Sequence, residues 1–165
     1  MYETIQEPTE KISKKAIHVW RFSNIIGHFI FLVIITVLIV LDANYDWYNW
    51  VIYVLWALGG LGIISAIWSI GLEPVLLQRY WRYGVDEEYV QLKHGRWNMT
   101  HQVIPMTKVQ YVSLEQGPIL RKYGLYTISI GTMASSHEIP GIPEVQAKAL
   151  RDKIASLAKI KEVEN

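Results

Sequence analysis

Residues Phe22–Leu41 read FSNIIGHFIFLVIITVLIVL, a run of 20 without Asp, Glu, Lys or Arg. At about 1.5 Å of rise per residue such a helix spans about 30 Å, the hydrocarbon thickness of a bilayer. A helix in the core of a water-soluble protein rarely stays apolar on every face for that length. A second charge-free run, Trp47–Leu72, covers 26 residues, enough to cross with some tilt. Trp20, Tyr45, Trp47, Tyr48, Trp50 and Trp81 lie near the ends of the two runs, where interfacial aromatics belong. The sequence therefore predicts transmembrane helices over 22–41 and 47–72, joined by an external loop over 42–46.

Five residues, Asp42-Ala43-Asn44-Tyr45-Asp46, are too few for a folded element, so the helices are expected to be antiparallel neighbours. Lys11, Lys14, Lys15 and Arg21 precede the first run, Arg79 and Arg82 follow the second, and the gap has no basic residue. That asymmetry predicts both termini in the cytoplasm of a multi-pass cell-membrane protein. The arm over 1–21 carries Glu3, Glu7 and Glu10, and no A-x-A cleavage site follows the first run, so a signal peptide is not the reading.

Small residues punctuate the second run: Gly59, Gly60, Gly62, Ser65, Ala66 and Ser69. The spacing of four between Gly62 and Ala66, and between Ser65 and Ser69, allows close approach of helix backbones. Packing within the hairpin is one reading of Gly62, Ser65, Ala66 and Ser69; packing against another membrane protein is the other. His28 is the titratable side chain, tyrosines apart, that lies deep within an apolar run; it is a candidate for a proton or substrate role, and alternatively its imidazole hydrogen-bonds a neighbouring helix.

The chain has 165 residues, 51% hydrophobic and 19% charged, with a formal net charge of +1. So small a charge steers neither nucleic acid nor anionic lipid strongly, and no nucleic-acid partner is expected. There is no cysteine, hence no disulfide, thiolate metal site or thiol nucleophile.

Beyond Pro74 the pattern changes to β. Alternation over Tyr89–His94, a turn at Gly95, a returning strand over Arg96–Ile104 and alternating runs over Lys108–Glu115 and Leu125–Gly131 predict an antiparallel sheet or barrel. Ser136–Ile139 would add a short closing strand. Ile142-Pro143-Glu144 would start a final helix, with Ala147, Leu150, Ile154 and Leu157 on its apolar face and a frayed tail from Lys161. The predicted domain covers 79–160.

Several blocks are similar to a known family. WRYGVDEEYVQLKHGR (81–96), Ile104-Pro105, VQYV (109–112), Gln116-Gly117-Pro118, RKYGL (121–125) and Ile139-Pro140-Gly141-Ile142 resemble, in this order, the bacterial pleckstrin-homology-like (PH-like) domains that adjoin membrane helices. Met133-Ala134 departs from the Thr-Ala-Gly-like turn of many relatives. The resemblance implies a mainly-β fold: about seven antiparallel strands in two packed sheets, a PH-like sandwich or barrel capped by a C-terminal α-helix. It does not imply phosphoinositide binding. Small members of the family often stand beside a larger protein with several such domains. A membrane complex with a related multi-PH-domain protein, or self-association, is therefore the expected partnership.

Catalytic sets are sparse. His94, His101 and His137 show no metal-binding spacing, and Asp86-Glu87-Glu88 reads as a solvated turn. Serines 113, 129, 135 and 136 lack a nucleophile elbow. The expectation is no enzyme, no metal and no cofactor. Lys108, Arg121 and Lys122 are candidate contacts for a protein partner or a lipid headgroup, since Arg in a loop can hold phosphate or carboxylate in a bidentate grip. Alternatively Arg121 secures its own loop by pairing with Glu115 or Asp86. The leading function is a membrane-anchored interaction module. A subunit of a membrane export or antimicrobial-resistance system acting on peptide or lipid, and a membrane enzyme, are the alternatives.

Overall fold

The computed structural model describes residues 7–45, 47–95 and 98–163. Asp46, which ends the expected external loop, Arg96, which opens the expected returning strand, and Glu3 of the arm lie outside the described residues. The chain forms two compact units: residues up to Ile17 together with those from Leu76 onward, and residues His18–Val75.

The second unit is the hairpin. Helix α1 runs Lys15–Tyr45 and α2 runs Asn49–Gly71, followed by the short helix α3, Glu73–Tyr80. Both long helices are long and apolar enough to cross a membrane. Helix α1 extends past the charge-free run at both ends. At its start the Ser13 hydroxyl accepts from the Lys15 amide (3.2 Å), as a capping residue does. At its far end Asp42–Tyr45 are helical, so this part of the expected loop continues α1.

The first unit is the β domain. Strand β1 is Glu10–Lys11, β2 is Arg82–Val85, β3 is Tyr89–His94 and β4 is Thr100–Pro105, forming one antiparallel sheet in that order. Strands β5 (Tyr111–Glu115), β6 (Leu125–Gly131) and β7 (Ser136–Pro143) form a second antiparallel sheet in chain order. A short helix α4, Pro118–Lys122, joins β5 to β6, and α5, Glu144–Val163, closes the chain. The two-sheet arrangement with a C-terminal helix is the PH-like fold expected from the sequence.

The arm is where structure and expectation differ. It belongs to the β domain: Glu10 and Lys11 pair with Tyr83 and Arg82. Ile12 and Ala16 are buried, the Ser13 amide donates to the Gly141 carbonyl (3.1 Å), and the Gln78 side chain donates to the Ile12 carbonyl (3.0 Å). Gly141 has φ +68°, and a Cβ there would come within 2.6 Å of the Ala16 methyl, so both conformation and contact call for glycine. The hairpin is thus an insertion between two neighbouring, hydrogen-bonded strands. Two residues of strand give too little alternation for a pattern search to find.

Smaller differences have local causes. The run expected to be a strand from Lys108 starts later, because Met106–Lys108 form a 3₁₀ turn. Strand β7 continues through Pro143, and α5 begins at Glu144. Alternation in β6 breaks at its start: Leu125 is buried together with Ile128 and Ile130, and the register with β7 shifts between Tyr126 and Ile128. Ile128, Ile130, Ile139, Ile142 and Ile154 are all fully buried, each contributing about 1.5–3 kcal/mol by transfer from water.

Candidate functional site

The hairpin is held by a polar seam at one end and close packing beyond it. On α1, Arg21, Asn24, His28, Phe31 and Ile35 follow at spacings of three, four, three and four, so they share one face. Arg21 donates from Nε to the Ile70 carbonyl (3.1 Å) and from Nη2 to the Gly71 carbonyl (3.3 Å). These are last-turn carbonyls of α2, which lack intrahelical partners and carry the negative end of the helix dipole. The Asn24 amide donates to the Ser69 carbonyl (2.7 Å), and His28 Nε2 bonds the Ser69 hydroxyl (2.7 Å). Next come Phe31 and Gly62, where a Cβ on the glycine would run into the aromatic ring. Ile35 then packs at Gly59.

Of the small residues singled out in the sequence, Gly62 and Ser69 lie in this seam. Ala66 is half-buried, and its carbonyl accepts weakly from Ser69 (3.5 Å). Ser65 faces outward, on the wall of a groove of about 490 Å³ that also takes in Ser23 and Gly27. Sequence reasoning missed Arg21 and Asn24 as hairpin contacts. The three-and-four spacing that links them to His28 was the available signal.

In the domain, Lys108, Arg121 and Lys122 are all exposed. They are not one cluster. Lys108 precedes β5 and α4 follows it, so five strand residues, about 16 Å, lie between them. Tyr111 and Met133 share the Lys108 end: Tyr111 pairs with Gly131 and lays its ring over it, and Met133 follows in the β6–β7 turn with 86% of its surface exposed. The Gln-Gly-Pro block serves the loop itself. The Gln116 side chain donates to the Leu125 carbonyl (3.1 Å), the Arg121 amide to Gly117, and the Glu144 amide to the carbonyl of Gly124, whose φ is +64°. Asp86 accepts from Gln91 (3.3 Å), and Lys93–Glu7, Lys148–Glu144 and Arg151–Asp152 form ion pairs.

Two polar chains stiffen the domain. Gln91 is 1% exposed; its amide donates to Asp86, and its oxygen accepts from His101 Nε2 (3.1 Å). The Gln102 oxygen on β4 accepts from His137 Nδ1 on β7 (3.1 Å), which ties one sheet to the other. His137 Nε2 then meets the Ser135 hydroxyl (2.8 Å). His94 stacks on Trp81 at 5.2 Å. Burial, assisted by Glu10, raises the Tyr83 phenol above its usual range, since the phenolate would lose its hydration. Lys93 bonds Glu7 (2.7 Å) and holds its carboxyl below the ordinary value. Among the described residues no group of three or more His, Asp or Glu could hold a metal ion.

Residues 21–158 match the family described as Bacterial PH domain. The chain belongs to the bacterial PH domain family. It is 35% identical over 161 residues to the UPF0699 transmembrane protein YdbS of Bacillus subtilis strain 168, an alignment covering 94% of this chain and 96% of that one. No solved structure matches the chain significantly. The transmembrane relative and the two helices long and apolar enough to cross a membrane mark the chain as a membrane protein.

Proposed function

We propose that the chain is a non-enzymatic, multi-pass module of the bacterial cell membrane whose PH-like domain binds a related multi-domain membrane protein at the cytoplasmic face. Orientation rests on the basic residues: Lys11, Lys14, Lys15 and Arg21 before the first span, Arg79 and Arg82 after the second. The observation that carries the partner is the end of the domain where exposed Lys108 and Tyr111 stand beside Met133, a solvent-facing methionine. Exposed aromatic and methionine side chains such as Tyr111 and Met133 are enriched at protein contact surfaces, with lysine belonging to the polar rim. Arg121 and Lys122 on α4 offer a second contact, to the partner or to anionic headgroups, at about 1 kcal/mol per charge near the surface.

Photo-crosslinking residues placed at Met133 and at Arg121 of the full chain, in native membranes, test this. The proposal expects an adduct with a larger membrane protein from Met133. An adduct of twice the chain's mass identifies self-association instead. A chain that forms no adduct and purifies alone under every gentle detergent overturns the module reading. Arg121→Glu is expected to weaken partner or lipid binding while the domain stays folded; if it unfolds, Arg121 serves its own loop.

The polar seam, with His28 and Ser69 inside the apolar span, favours a second reading: a subunit of an export or resistance system acting on peptide or lipid. His28→Ala would then remove that activity without releasing a bound partner.

A further inference from the structure

Beside the seam, the groove of about 490 Å³ opens on the outer side of the hairpin. Its two ends differ. Ser23, Asn24 and His28 line the end at the start of the apolar run, and Phe31 and Leu61 line the other. Ser65 stands between them, six residues before the end of α2, about 9 Å along the helix. Among the described residues the hydroxyls of Ser23 and Ser65 make no hydrogen bond, although both face the groove. Ser65 lies deeper in the apolar run, where no water is present to satisfy it and an unpaired hydroxyl costs free energy. Gly27 adds room: a Cβ on it would meet nothing within 4 Å. Arg21, two residues before Ser23 on α1, spends two of its five N–H donors on α2 carbonyls, which leaves further donors and a positive charge at that end of the hairpin.

We propose that this groove binds one anionic glycerophospholipid. Its phosphate would meet Arg21 and Ser23 at the interface, its ester oxygens would accept from Ser65, and one acyl chain would lie along Gly27, Phe31 and Leu61. The polar-to-apolar order along the groove is the order a lipid presents with depth. The volume lies within the range of small-ligand sites, about 300–1,000 Å³. This inference does not depend on which protein the domain binds.

Native mass spectrometry of the full-length protein in detergent, titrated with dioleoylphosphatidylglycerol, tests it. The first lipid is expected to bind at least about fivefold more tightly than the second, and about threefold more tightly than dioleoylphosphatidylcholine. Gly27→Leu should fill the groove and bring the first affinity down to that of the second. Ser65→Ala, which removes the hydroxyl and adds no volume, should cost about two- to threefold. Millimolar inorganic phosphate should displace little, because the acyl chain contributes. Stepwise affinities that are equal and unchanged by both variants overturn the proposal. So does full displacement by phosphate, which would mark a free-anion site. So does loss of a co-purifying membrane protein from Gly27→Leu with lipid binding intact, which would assign the groove to a helix.

Discussion

Isoleucine behaves in opposite ways in the two halves of this molecule. In the β domain Ile139 is fully buried; in the hairpin Ile67 has 70% of its surface exposed. The domain is built against water, and its cohesion comes from apolar area removed from that solvent. The hairpin is built against lipid, which solvates isoleucine as well as another helix does, so apolar area contributes nothing to pairing its helices. The hairpin relies instead on a glycine under an aromatic ring and on side chains that seal carbonyls. One residue type thus carries two meanings, and which applies is set by the solvent its segment occupies.

Ile139→Ala should break the domain by about 2–5 kcal/mol, the cost of a cavity in a packed core, read as a fall in its melting temperature. Ile67→Ala should leave the same transition, and the hairpin, essentially unchanged. Equal losses from both would end the distinction. Gly62→Leu should reverse the pattern, forcing Phe31 aside at a cost of about 1–3 kcal/mol, while Gly60→Leu, with nothing within 4 Å of its Cβ, is tolerated. The midpoint of unfolding in rising SDS measures both.

The smallest effect comes from pH. Lys93 lowers the Glu7 pKa, so this pair's contribution is present above the ordinary carboxylate range and is lost as pH falls through the lowered value. Hydrogen-exchange protection of the β1 amides should therefore decline through that window in the native chain. It should stay flat in Glu7→Gln, apart from changes common to both. A native profile as flat as the variant's would remove the pair from the account of the arm.

The sequence disclosed the parts of this fold whose signal is long. Two charge-free runs gave the hairpin, alternation gave β3 and most of β6, and the ordered blocks from Trp81 to Ile142 gave the family. What stayed hidden is short or non-local. Strand β1 is two residues long and separated from its partner by the whole hairpin, so no local period marks it. The cross-sheet bond from His137 to Gln102 joins residues 35 positions apart, and nothing near either predicts it. Of the proposed contact residues, charge alone drew attention to Lys108, Arg121 and Lys122. Their separation to opposite ends of β5 follows from the 3₁₀ turn at Met106–Lys108 and the placement of α4.

The hairpin is an insertion between β1 and β2, and the absence of native cysteine allows a direct test by disulfide crosslinking. Lys11→Cys combined with Arg82→Cys places two thiols at facing positions of an antiparallel pair, where Cα atoms stand about 4.5–5.5 Å apart, within disulfide reach. Mild oxidation of the full-length protein in membranes should then join them within one chain, while Lys11→Cys with Ser156→Cys, on α5, should not. A Lys11–Arg82 pair that fails to crosslink, or that links only between chains, would contradict the insertion.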